Sequence, residues 1–444
     1  MHKKRLKQAV LLVHGIGEQR PMGTIRDFVE AVFLRNDSLE HCARRIWVKP
    51  EPKFPIHELR RITTSAISSA NEPSSDIRTD FFELYWQDLM RGSRFSHVAD
   101  WIRPLMLRWP WKMPSKLIPV WMMLWMALPV VLALMLVPTF LVLIHSKSIF
   151  WFLLAFLLLL LIGTLHGLLR HYVGDAARYF DHAPRNVGVR NLILNRGVDL
   201  LEQIQADPQY DRIVIVGHSL GSVIAYDILS ICWSRTKRRR RTTALSEDPI
   251  REMEHFQVNK HDSVQEMLVR KRNLFKWLSA PEAAAPWKVS DFVTLGSPLT
   301  YASVLLARDD AEFRQRISER YLATDPPQTE FFAEVDGHTF CYPDQLSASP
   351  ETIWRMHHAA QFAAIRWSNL YTPSRWLIGG DMIGGPLRGL FGRWISDIPV
   401  EGVRGLDPAA HVHYWSPNGQ PERLKALRNA LDLERNTFPS STPA

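Results

Sequence analysis

At 444 residues the chain is long enough for one large domain carrying insertions or for two or three domains of ordinary size. With 46% hydrophobic and 22% charged residues it is neither a disordered nor a collagen-like polymer. Its three cysteines, Cys42, Cys232 and Cys341, are odd in number and far apart, which excludes a disulfide framework and a zinc-ligand spacing and fits a reducing compartment. The formal net charge of +9 points to an anionic partner, nucleic acid or anionic lipid, and the position of the charge has to choose between them. Met1 to Lys7 is basic but leads into a short apolar run and Gly15, not the long apolar segment of a signal peptide, so the chain reads as not exported.

The first element is a strand at Gln8 to Val13, QAVLLV, apolar and closed by glycine as in a strand buried on both faces of a parallel sheet. An amphipathic helix follows from about Thr24 to Arg35, and a second strand from Asp80 to Trp86. Next come two uncharged runs, Leu117 to Ile144 with 28 residues and Ile149 to Leu169 with 21. Each exceeds the ~18 residues that suggest a membrane span, and neither carries the polar stripe of a helix buried in a soluble core. Pro129 and Pro138 would break a soluble helix but are tolerated as kinks in a bilayer. Only His145 to Ser148 separates the runs, so the expected hairpin returns both flanks to one side. Arg103, Arg108, Lys112 and Lys116 before it and Arg170, Arg178 and Arg185 after it, against Lys147 in the turn, place those flanks in the cytoplasm. Trp109, Trp111, Trp121, Trp125 and Trp151 fall near the expected boundaries, where indoles favour the headgroup region.

A third strand, Arg212 to Val216, runs into Gly217-His218-Ser219-Leu220-Gly221, and helical pattern resumes from Ser222 to Cys232. G-x-S-x-G alone is a weak signal that a structural glycine turn also satisfies. Between a strand and a helix it describes a sharp turn that lifts the serine hydroxyl above the sheet, with flanking glycines letting strand and helix approach. Ser219 is therefore the candidate nucleophile. Ser234 to Pro286 is polar and opens with a basic run: Arg235, Lys237, Arg238, Arg239, Arg240 and Arg241. Such a block is a solvated, partly disordered loop or a clamp on anionic headgroups. Nucleic acid is the weakest of the three readings, because no aromatic platform accompanies the charge. Further strands are expected at Phe292 to Leu295, Ile365 to Tyr371 and Ile398 to Val403.

The segments VLLVHGIGEQ, IVIVGHSLGSVIAYD and FVTLGSPL resemble the α/β-hydrolase superfamily in its lipase and esterase branch, over the chain outside the two insertions. The resemblance implies an α/β fold: a mostly parallel sheet with helices on both faces, interrupted by the hairpin. Its parts would be residues 1–100, the hairpin insertion 101–173, the serine part 174–233, the basic insertion 234–286 and the C-terminal part 287–444. The early antiparallel strands usual in the family are not evident, which suggests a smaller sheet at one edge. The family places an acid after a late strand and a histidine in a loop near the C-terminus. That order implies Asp381, with Asp397 and Asp407 as competitors, and His411 or His413, His411 being favoured because it precedes Tyr414-Trp415 by three residues. The same resemblance gives the oxyanion donors as the backbone N–H groups of Ile16 and Leu220, with His14 orienting their loop.

Together these readings describe an integral, two-span serine esterase or lipase-like enzyme whose catalytic domain faces the cytoplasm. It would cleave a lipid or other acylated amphiphile without metal or cofactor. A catalytically silent membrane scaffold and an acyltransferase are the competing readings. His357 and His358, adjacent on an expected helix and lacking further ligands, do not suggest a metal site, and Asp175 and Asp227 read as structural.

Overall fold

Apolar segments closed by turn residues line up into one sheet of nine strands: β1 Lys4–Val13, β2 Ile46–Pro50, β3 Arg60–Thr64, β4 Ile67–Ser68, β5 Ser75–Leu84, β6 Arg212–His218, β7 Val289–Leu295, β8 Arg366–Tyr371 and β9 Ser396–Pro399. The computed structural model describes residues 4–90 (apart from 18–19, 37–38, 40–42, 55 and 69–74), 106–113, 174–236 (apart from 182), 241–242, 249–258, 263–280, 286–333, 337–343, 354–373, 380–400, 410–416 and 421–438, together with position 103 and single positions between 118 and 160. The spatial order is β9-β8-β7-β6-β1-β5-β3-β2, with β4 beside β5. From β5 through β9 every neighbouring pair is parallel, while β2, β3 and β4 run antiparallel.

β6 and β7 are buried along their whole length; β6 carries an unbroken Ile213 to Val216 apolar run, while β7 buries Ser290, Asp291 and Thr294 among its apolar residues. Two helical layers cover the sheet. In one, helix α1 (Gly23–Val29, continuing as a π-helical turn over Glu30–Leu34) meets α8 (Pro421–Leu431), and Arg428 donates to the carbonyls of Ala31 and Arg35. In the other, α3 (Pro184–Ala206) lies along α4 (Leu220–Thr236), with the short α2 (Gly174–Phe180) before them.

Three expectations change. The antiparallel edge is present, but it comes after the first parallel strand, as β2 to β4. β2 is largely exposed and β4 has two residues, so neither carries the apolar alternation that marks a strand in sequence. The polar segment 234–286 is not simply a loop. Ahead of β7 and α7 (Asp310–Ser318), it contains α5 (Pro249–Val258) and α6 (Val264–Ser279), and α6 buries Met267, Leu274, Phe275 and Leu278 together with Lys271 and Arg272. Its charges are ion-paired inside the protein: Lys271 Nζ lies 2.6 Å from Asp325, and Arg272 lies 2.7 Å from Asp291. His357 and His358 occupy a turn after the short strand Trp354–Met356, not a helix.

Most of the two apolar runs, and Lys237 to Arg240 of the basic run, lie outside the described residues. Among the described residues no helix is long and apolar enough to cross a membrane. Those described between 118 and 160 are helical, and Met126, Leu136, Phe140, Ile144, Leu153 and Phe156 each expose more than half of their surface.

Candidate active site

β1 lies between β5 and β6, so the chain completes one side of the sheet and then crosses β1 to start the other. That reversal leaves a crevice at the carboxyl ends of β1 and β6, where open α/β sheets bind ligands. Ser219 follows β6 there and has φ of 51°, in the left-handed region that side chains other than glycine seldom occupy. The turn is held by the Ser219 N–H donating to Leu295 O at 3.0 Å and by Ser222 Oγ donating to Ser219 O at 2.6 Å. A side chain at Gly221 would place its Cβ 2.2 Å from the carbonyl oxygen of Val13, so only glycine lets α4 pass β1 this closely.

His411, in the single turn Ala410–Val412, brings Nε2 to 2.8 Å from Ser219 Oγ and Nδ1 to 3.0 Å from Asp381 Oδ1. Asp381 sits in the loop after β8 and is fully buried. Its Oδ1 also accepts the N–H groups of Ile383 at 2.8 Å and Gly384 at 3.0 Å, and Oδ2 accepts the Tyr414 hydroxyl at 2.7 Å. Burial pushes the carboxyl pKa up. The hydrogen bond and charge of His411, the Gly384 N–H and the Tyr414 hydroxyl outweigh that effect and hold it at about 2. Burial beside Asp381 pushes the Tyr414 hydroxyl well above its ordinary value, so it stays protonated and donates.

Of the residues expected from sequence, Ser219, Asp381 and His411 come together. The His413 carbonyl accepts from Arg423 at 3.1 Å. Asp397 instead accepts the N–H groups of Leu387 and Arg388 and the Asn369 amide, which braces the end of the acid loop. Asp407 lies outside the described residues. The loop carrying Ile16 runs against the serine: a Cβ on Gly15 would stand 2.9 Å from Ser219 Cβ. Leu220 opens α4, where the first N–H groups of a helix have no acceptor within it. His14 lies behind this loop, its Nδ1 2.8 Å from Gly15 O and its ring stacked on Trp86 at 5.1 Å. Burial lowers its pKa to about 4, which keeps the ring neutral. Asp175 accepts from Gln87, and Asp227 from Tyr179 and Arg190.

Four contributors escape sequence reading. His218, inside the serine motif, donates from Nε2 to the His411 carbonyl at 2.8 Å, so the residue before the nucleophile holds the loop that carries the base. Burial and the nearby charge of His411 depress the His218 pKa to about 3, which leaves a neutral donor. Gly296, with φ of 54°, follows β7, and a Cβ there would lie 2.6 Å from Asp381 Oδ2 and 3.0 Å from His411 Nδ1. Tyr414 is the third, and Tyr301, donating to Met382 O at 2.7 Å, is the fourth. The only signals in the sequence were the Gly-Ser-Pro after the seventh strand and the aromatic pair after the histidines.

Among the described residues no group of three or more His, Cys, Asp or Glu side chains is arranged to hold a metal ion. No curated protein and no solved structure matches the chain. Residues 141–427, more than half of the sequence, match the alpha/beta hydrolase family, a span that takes in Ser219, Asp381 and His411 but starts after β1 and its loop. The chain belongs to the alpha/beta hydrolase family.

Proposed function

We propose that the protein is a membrane-anchored serine hydrolase that cleaves an ester, of a lipid or another acylated amphiphile, through an acyl-enzyme. One observation carries the reading: a continuous relay in which Ser219 Oγ, His411 Nε2, His411 Nδ1 and Asp381 Oδ1 are linked by contacts of 2.8 and 3.0 Å. His411 takes the hydroxyl proton as Ser219 Oγ bonds to the ester carbonyl carbon. The resulting oxyanion accepts hydrogen bonds from the N–H groups of Ile16 and Leu220. As the carbon–oxygen bond of the ester breaks, His411 returns the proton to the departing alcohol and Ser219 keeps the acyl group. Water, deprotonated by His411, then attacks the acyl carbon; the bond to Ser219 Oγ breaks, His411 returns the proton to that oxygen and the acid leaves. Asp381, ionised and fixed by four hydrogen bonds, orients the imidazole and stabilises it when charged.

The anchor rests on the two uncharged runs and on the exposure of the apolar side chains described within them. Arg235, at the end of α4, meets Glu202 at 3.4 Å at the edge of the sheet away from Ser219, so the basic run adds nothing to this anchor. Purified protein should be labelled by a fluorophosphonate, and Ser219→Ala should lose both labelling and at least about 10⁴-fold in ester turnover. Equal labelling of the two proteins removes Ser219 as nucleophile. Release of the protein from membranes by alkaline carbonate without detergent removes the anchor.

A further inference from the structure

Every parallel strand of the sheet points its carboxyl end toward Ser219, and β5 is one of them. The chain therefore leaves β5 at the same edge as the serine and runs into the apolar segment from there. Its departure and return are fastened to each other: Gln87 donates to Asp175 at 2.8 Å and Arg178 to Met90 O at 3.3 Å. Trp86, two residues past β5, donates to His14 O at 3.0 Å and stacks on the His14 ring, within the loop that passes Ser219.

Between β5 and the first apolar run lies a short turn, Pro110–Lys112, flanked by Trp109 and within which Trp111 falls. The two indoles stack on each other at 4.8 Å and 16°, yet they are 62% and 73% exposed, with Leu107 beside them at 64%. Packing against the protein does not explain such a pair. Trp121 and Trp125, on the first apolar run, both donate to Met106 O at 3.1 Å, so this turn is tied to the start of that run. Arg108 is half-buried and feels the charge of Asp309, in the segment that follows β7 and so belongs to the same edge. Arg103 is exposed. Stacked indoles, an exposed leucine and a basic residue directly before an uncharged run are the chemistry of the headgroup layer, where an apolar ring with one polar N–H is best solvated.

We propose that the Trp109–Trp111 turn seats in the headgroup layer of the bilayer and holds the carboxyl edge of the sheet toward it, so that the acyl substrate reaches Ser219 from the lipid phase. The inference rests on the anchored-hydrolase reading and adds an orientation that this reading does not require. A hairpin with slack flanks would leave the serine free to face the bulk solvent.

The test uses the full chain reconstituted in phosphatidylcholine vesicles containing phosphatidylglycerol, with a nitrobenzoxadiazole fluorophore on Trp111→Cys or on Gln209→Cys. Gln209 is exposed just before β6, at the opposite edge of the sheet. Lipids brominated near the headgroup should quench the fluorophore at 111 and spare the one at 209. Equal quenching at both sites, or quenching at 209 alone, overturns the orientation. Protection of position 111 in detergent without lipid, with dimers on sedimentation, assigns the surface to a second copy and also overturns it. In parallel, Trp109→Ser/Trp111→Ser should lower the ratio of vesicle-embedded to water-soluble ester turnover by roughly tenfold, or 1.4 kcal/mol. An unchanged ratio counts against the proposal. Fluorophosphonate labelling of the wild type separates the failures: if Ser219 is not labelled, the hydrolase reading falls whatever the quenching shows.

Discussion

The two edges of the parallel sheet are built from the same strands but use charge in opposite ways. At the carboxyl edge, polar groups meet in a relay that ends at a serine 3% exposed. At the amino edge, one buried carboxylate, Asp291, collects three guanidinium groups, Arg212, Arg272 and Arg366, each at 2.7 Å. The same arginines reach past it: Arg212 donates to the carbonyls of Leu431 and Asp432, and Arg366 to that of Ala430, all at the end of α8. The Phe438 ring lies 4.2 Å from Arg272, 5.0 Å from Arg212 and 5.7 Å from Arg435. Here one carboxylate serves three cations, which spend further N–H groups on backbone carbonyls. They fasten the C-terminal segment under the strands, while the opposite edge keeps one proton-accepting relay open to a substrate. A fold that does chemistry at one end can lock its chain at the other, because errors in the lock do not displace the reacting atoms directly.

That division can be broken on either side. The largest effect is expected at the amino edge, where Asp291→Ala leaves three buried cations facing one another and should cost about 3–5 kcal/mol of stability. Denaturant titration measures this, and turnover per folded molecule should stay within about twofold. A comparable loss of turnover with stability intact would mean that the two edges are coupled.

Acid tests the carboxyl edge by a different route. His14 and His218 are buried neutral, with pKa values of about 4 and 3 against an ordinary 6.5. The unfolded chain therefore binds protons below 6.5 that the folded chain refuses. Their contribution to stability is whole above that value and declines as pH falls, the His14 part being exhausted near 4 and the His218 part near 3. Burial raises the carboxyls of Glu83 to about 7 and Asp325 to about 6, which opposes this loss over the same range, so the difference is the test: the change in unfolding free energy between pH 6.5 and 4 should be less unfavourable by a few kcal/mol in His218→Asn than in the wild type.

Gly296→Ala sharpens the comparison further. Its Cβ cannot be placed without moving the Asp381 carboxylate, so turnover should fall roughly 10²-fold while backbone strain removes only about 1–2 kcal/mol. Steady-state kinetics beside thermal melts separate the two quantities. The smallest effect is expected for Tyr414→Phe, which deletes the hydroxyl that donates to Asp381 Oδ2 and accepts from the Thr372 N–H; about tenfold in kcat with KM unchanged should result.

Legibility in the sequence followed the range of the interaction. The strand, turn and helix around Ser219 could be read because they are contiguous and because glycine at 217, whose Cβ would meet Ser222, answers a steric demand within a few residues of the serine. The parallel strands β1 and β6 could be read from unbroken apolar runs, whereas β9, Ser396–Pro399, starts before the expected Ile398 to Val403 because it has no such run. β2 to β4 could not, since an exposed edge strand leaves no such run. Nor could the role of Lys271 and Arg272. A basic residue on a helix looks the same whether it faces water or a carboxylate 2.6 Å away supplied from fifty residues further on. His218 and Gly296 escaped for the same reason, as their partners, His411 and Asp381, arrive from distant parts of the chain.

The proton acceptor and the lock share one stretch of sequence. His411 and Tyr414 lie a few residues before α8, and α8 delivers the carbonyls that Arg212 and Arg366 hold. A nascent polypeptide that has emerged through residue 400 has already made its nucleophile and its carboxylate, yet it has neither an imidazole to activate the first nor the buckle that closes the sheet. Synthesis thus completes the relay only once residue 411 is made, and products that terminate before it should be inert and readily degraded.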